Sequence, residues 1–156
     1  MPRPSPLQAP LSMPWTYLTR PSPNGMRAWP RIATIHWSVT DIADPSVTIG
    51  NYAVVVAYGL LHCLASPEGI RATLLRLQAH TYPGGYNVIC AFNDAPHDLS
   101  GHPCFLPTLF PHEVYLSAYR KWTLIHASNQ RLQESHPDNG VPHHHTLTRL
   151  LARKGP

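Results

Sequence analysis

Proline sets the first limit on what this chain can fold into. There are 18 prolines, and eight of them fall in the first thirty residues: Pro2, Pro4, Pro6, Pro10, Pro14, Pro21, Pro23 and Pro30. Each one fixes φ and removes a backbone donor, which excludes a long helix or a central strand there. Residues 1–30 therefore read as a proline-rich, irregular leader, in which only Met13–Leu18 has strand character. Periodic structure is expected to begin after Arg31, and residues 31–156 are taken as the domain.

A length of 156 residues suits one domain. Charged residues make up only 13%, but the apolar fraction of 43% is enough to build a core. The longest apolar stretch, Tyr52–Leu61, is far short of the ~20 residues of a membrane span. The net charge of +4 comes from scattered arginines with no basic run, which argues against nucleic acid as a partner. Three widely separated cysteines fit a reducing cytoplasm better than a disulfide framework. Nothing between Met1 and Arg31 reads as a secretory signal, because prolines interrupt it and no apolar core is present.

Ile32–Val39 is β-branched and aromatic and predicts a strand. Asp44-Pro45-Ser46 is a turn signal. Tyr52–Tyr58 (YAVVVAY) is continuously apolar, as a strand buried on both faces of a parallel sheet would be. Ser66 and Pro67 then form a helix start, an N-cap followed by a proline in the first helical position. Ile70, Leu74, Leu75 and Leu77 form the apolar stripe, while Arg71 and Arg76 are expected to face water. Tyr82-Pro83-Gly84-Gly85 stops the helix, and Tyr86–Phe92 is a second buried-type strand, which completes a βαβ unit. Asn93–Leu109 is a long loop of the kind that often binds ligands. Pro111–Tyr119 is a short helix candidate. Trp122–Ser128 and Thr146–Ala152 alternate as strands, and Asp138-Asn139-Gly140 between them predicts an antiparallel hairpin. The result is an α/β sheet, parallel in its middle, whose ligands should meet the C-terminal strand ends: Ser38–Asp44, Ala57–His62 and Asn93–Gly101.

The eleven histidines raise a metal question. His97, His102 and Cys104 form H-x4-H-x-C, with His112 beyond, and His143-His144-His145 is a second cluster. Zinc favours four closely paired N or S ligands, and this spacing matches no common pattern. Consecutive histidines on a strand alternate faces and cannot all reach one ion. The expectation is a polar loop and a solvent-facing strand, with no dedicated metal site. Cys63, Cys90 and Cys104 read as small buried apolar residues.

Three ordered segments resemble class I S-adenosylmethionine-dependent methyltransferases, above all the tellurite-resistance (TehB-type) family. Tyr52–Leu64 is similar to the family's fourth strand and the loop after it. Leu74–Gln78 with Pro83-Gly84-Gly85 and Tyr86–Ile89 is similar to the following helix, turn and fifth strand. Phe110–Val114 through Trp122, with Leu150–Lys154, is similar to the closing helix and hairpin. The resemblance implies a Rossmann-like methyltransferase sheet, truncated in its N-terminal half, with a C-terminal antiparallel hairpin.

It also implies S-adenosylmethionine as cofactor, lying across the strand ends. Asp41 and Ile42 match the positions beside the adenine, although Asp41 can equally cap a turn. Ala57 and Tyr58 match positions flanking the methionine part. His62, His97 and Phe105 match the substrate side. For His62, a base, a substrate contact and a merely satisfied polar group all stay open. No catalytic residue stands out, since methyl transfer depends on alignment more than on acid–base chemistry. The implied partner is a small-molecule or oxyanion acceptor; tellurite, a thiol and a small metabolite are not separated. The chain departs from the family at its Gly-rich turn, for no G-x-G precedes Gly59. Arg20 stands where an acidic residue would hold the ribose. The expected activity is therefore impaired, and the alternative is a non-catalytic remnant that acts as a binding module.

Overall fold

The structure is a computed structural model in which residues 40–100, 105–135 and 140–156 are described. The leader, the strand expected at Ile32–Val39, and Arg20, His102, Cys104, Asp138 and Asn139 lie outside those residues. Ile42–Pro156 forms a unit of its own, while Asp41 belongs to the other unit.

Strand β1 is Tyr52–Tyr58, followed by a 3-10 turn at Leu61–Cys63 and helix α1, Pro67–Ala79. The helix starts as its sequence dictates: the Ser66 hydroxyl accepts from the Gly69 N–H at 3.1 Å, and Pro67 opens the first turn. Strand β2 is Thr81–Phe92, α2 is His112–Ala118, and β3 (Thr123–Glu134) and β4 (His143–Arg153) close the chain. The four strands form one sheet in the order β1-β2-β4-β3. β1 and β2 are parallel, and β4 is antiparallel to both of its neighbours. The βαβ unit and the closing hairpin are thus both present.

The Pro-Gly-Gly turn sits inside β2 rather than before it. Tyr52 pairs with Thr81 and Val54 with Tyr86, so residues 82–85 loop out of the ladder. Gly84 takes a φ of +75°, which a side chain would resist. Gly85 is needed for a different reason: a Cβ there would lie 2.7 Å from the Ala53 carbonyl oxygen.

Both helices cover the same face of the sheet. Ile70, Leu74 and Leu77 of α1 pack with Ala57, Ile89, Ala91, Leu150 and Ala152 of the strands and with Phe110, Tyr115 and Tyr119. Burial of each large side chain contributes about 1.5–3 kcal/mol. Two details of the stripe differ from expectation. Leu75 is exposed, because it lies on the flank of the stripe and lines a shallow groove between α1 and α2. Arg76 turns back instead of outward: its guanidinium donates to the carbonyls of Ile42 (3.0 Å), Asp44 (2.6 Å) and Val47. Asp44 accepts from the Ser46 N–H and hydroxyl, as its turn signal predicts, and these bonds hold its carboxyl below the usual range.

The opposite face is uneven. Val54, Val56 and Tyr58 are exposed there, so β1 is buried on one face only, contrary to the reading of its apolar run. Among the described residues β1 is an edge strand with helices on a single side. The far end of β4 reverses the pattern. β4 pairs with β3 from His143 to Arg153 but with β2 only from Leu147 onward. Residues 143–146 therefore overhang β2 by about 13 Å, at roughly 3.3 Å per residue. The loop after β2 folds over this overhang. Asn93 N–H donates to Thr146 O, Asp98 N–H to His144 O, and the Thr146 hydroxyl to Pro96 O.

Candidate functional site

The chain reverses sharply where β1 ends. Gly59, at φ +72°, donates its N–H to Cys90 O of the neighbouring strand, and the 3-10 turn then carries His62 back over the end of β2. His62 is 5% exposed; its Nδ1 accepts the Phe92 N–H at 3.0 Å, and its ring stacks on Phe92 with centroids 4.0 Å apart. Burial, helped by nearby His97, pulls the imidazole down to about 4, so it is neutral at pH 7. The nitrogen that a base would use is thus taken up in ending β2, and the satisfied-polar-group reading accounts for the geometry.

The other residues expected on the substrate side gather at the same place. His97 leans on Phe92 at 5.2 Å, accepts the Thr146 N–H at Nδ1, and meets Asn93 O at 2.5 Å through Nε2. Phe105 stands edge-on to Phe92 at 6.3 Å and to His62 at 6.0 Å. Phe92 is the hub, a residue that the sequence pattern shows only as the last apolar position of a strand. His145 stacks on its far side at 4.2 Å. The result is an aromatic wall at the C-terminal ends of β1 and β2, with the Phe92 ring sandwiched between His62 and His145.

The residues expected to bind cofactor are placed less uniformly. Tyr58 ends β1 and is 67% exposed, beside open space at Gly59. The Ala57 side chain is in the core, so only its backbone can meet a ligand. Ile42 is half-buried, with its carbonyl held by Arg76. Asp41 is exposed and immediately precedes a turn.

The histidine triplet departs most from expectation. His143 is 1% and His145 0% exposed, so β4 does not face solvent there. Alternation holds: His143 and His145 share the face of Leu147 and Phe92, and His144 takes the other. Glu134 of β3 pairs directly with His143, and its Oε1 lies 3.8 Å from His143 Nε2 and 3.4 Å from His145 Nε2. His112 instead bonds to the Thr148 hydroxyl at 3.0 Å. Cys90 is buried and Cys63 half-buried, with burial pushing the Cys63 thiol up.

A parallel pair followed by an antiparallel hairpin inserted as β2-β4-β3, with a sharp turn after the first strand, is a restrictive topology. The solved structure of TehB from Haemophilus influenzae matches it with a TM-score of 0.60 at 21% identity, over 75% of this chain and 40% of that one. This is a class I methyltransferase fold. The N-methyltransferase NodS from Bradyrhizobium japonicum WM9, in complex with S-adenosylhomocysteine, matches at a TM-score of 0.56 and 17% identity, over 85% of this chain and 60% of its own. The 1,6-didemethyltoxoflavin-N1-methyltransferase of Burkholderia thailandensis, with that substrate and S-adenosylhomocysteine bound, gives 0.56 at 19% identity, over 86% and 57%. The chain spans about two fifths to three fifths of the length of these methyltransferases. No protein-family model and no curated protein matches the sequence.

Proposed function

We propose that the chain serves S-adenosylmethionine-dependent methylation of a small-molecule or oxyanion acceptor. The observation that carries this reading is the aromatic wall of His62, Phe92, His97 and Phe105 at the C-terminal ends of the parallel strands, in a methyltransferase fold. Ligands of such sheets lie at these ends. The exposed Tyr58 ring and the open space at Gly59 fit a ligand laid across the end of β1. Asp41 and the Ile42 backbone would take the adenine edge, and the Ala57 backbone and Tyr58 the methionine part. When bound, the cofactor would supply a methyl group on a sulfonium. The protein's part is then positioning: the wall orients the acceptor, and the loop over it excludes water. Among the described residues no helix is long and apolar enough to cross a membrane, and the proposed setting is the cytoplasm.

With no G-x-G ahead of Gly59, this chain alone is expected to bind cofactor weakly. The same observation favours the second reading, a non-catalytic methyltransferase-like module. Calorimetric titration with S-adenosylhomocysteine tests both. Micromolar binding that is lost in Asp41→Ala supports the enzyme with a rebuilt cofactor site. A folded chain that stays silent supports the binding module.

A further inference from the structure

The cluster at the overhanging end of the β3–β4 hairpin has no role in the methyl transfer proposed above. Two buried imidazoles and a half-buried carboxylate converge there from neighbouring strands, with their ligand atoms all within 4.8 Å of one another. We propose that Glu134, His143 and His145 form a binding site for a divalent transition-metal ion, zinc being the best fit.

Three observations support this. The first is spacing. Ligands bound to zinc at about 2.0–2.1 Å in a tetrahedron lie roughly 3.3 Å apart. Glu134 Oε1 stands 3.4 Å from His145 Nε2 and 3.8 Å from His143 Nε2, already close to that spacing, while the two imidazole nitrogens, within 4.8 Å of each other, must draw together by up to about 1.5 Å. The second is the tautomer of His143. Its Nδ1 lies 2.8 Å from Val141 O, and a carbonyl can only accept. A proton is therefore on Nδ1, and Nε2 is the nitrogen on the side of the carboxylate. A backbone carbonyl bonded to the remote nitrogen is the usual support of a metal-binding histidine. The third is rigidity. Glu134 and His143 are register partners, and Phe92 and His97 pack against the His145 ring. Two imidazoles with one carboxylate suit zinc and its neighbours better than magnesium or calcium. Three protein ligands leave a fourth position for water or another small donor. A proton shared between an imidazole and Glu134 is the competing occupant.

The test uses the full chain stripped with a chelator and titrated with Zn²⁺ against a chromophoric competitor. Co²⁺ titration is run in parallel and read by its visible spectrum. The expected result is one equivalent of Zn²⁺ bound and the intense absorption of four-coordinate cobalt. Glu134→Gln and His145→Gln should each weaken binding by about 100-fold, at or beyond what loss of a supporting group alone costs. His126→Gln, on the exposed part of β3, should leave it unchanged. Glu134→Gln decides the matter, since its partly exposed position tolerates the change, and circular dichroism checks the fold. No stoichiometric binding, or binding indifferent to Glu134→Gln, would overturn the proposal and leave the proton as occupant. None of these readouts depends on methyl transfer.

Discussion

One face of the sheet carries two opposite arrangements. At β1 it presents Val54, Val56 and Tyr58 to solvent, and at the end of β4 it buries His143 and His145 completely. Hydropathy alone would assign them the other way round. The difference lies in neighbours. Among the described residues β1 has covering helices on its other side only, whereas the end of β4 is covered by the loop after β2 and flanked by Phe92. Val141 O bonds to His143 there, and Glu134 lies close to both imidazoles.

The largest effect should come from comparing the strands directly. Leu150→Ala, in β4 on the helix-covered face, is expected to cost about 2–5 kcal/mol, while Val56→Ala should stay within about 0.5 kcal/mol. Urea unfolding of both variants measures the contrast, and equal costs would mean that the bare face of β1 is covered after all.

Next is the buried histidine at the strand ends. His62 titrates near 6.5 when unfolded and near 4 in the fold, so the unfolded chain takes up its proton first as pH falls. Its contribution is fully present above pH 6.5 and is lost as pH drops toward 4, amounting to about 3 kcal/mol. His62→Gln keeps an acceptor for the Phe92 N–H and should flatten that slope. A slope unchanged in the variant would show that some other group carries it.

The smallest of the three concerns Gly85, which packs against the Ala53 carbonyl of β1. Gly85→Ala puts a methyl 2.7 Å from Ala53 O and is expected to cost about 1–3 kcal/mol of thermal stability. A neutral result would show that the looped-out turn can yield.

Much of this architecture is legible in the residues themselves. Ser66-Pro67 starts a helix, Asp44-Pro45-Ser46 turns the chain, and the alternation after Trp122 and around Leu150 marks a hairpin. Such signals are local and act through φ, caps and side-chain period. Side-chain exposure is not local. YAVVVAY cannot say whether it will have helices on both sides, and Arg76 cannot show that three carbonyls will come within its reach. The candidate site divides along the same line. His62, His97 and Phe105 are visible as chemistry near expected strand ends. Phe92, the hub between them, carries no signal beyond apolarity. Glu134 is chosen by register alone, since only the pairing of Glu134 with His143 brings that carboxylate to the imidazoles.

The overhang of β4 has a dynamic consequence. Beyond Leu147 the hairpin is a two-stranded ribbon, a structure of marginal stability by itself. What closes its outer edge is a loop, through the bonds of Asn93 and Asp98 to Thr146 and His144. Lifting that loop removes those bonds and bares the ribbon in the same motion. Loss of the loop's bonds and fraying of the ribbon at residues 143–146 are then one cooperative opening, whose free energy is set by the weakest-held part of the fold.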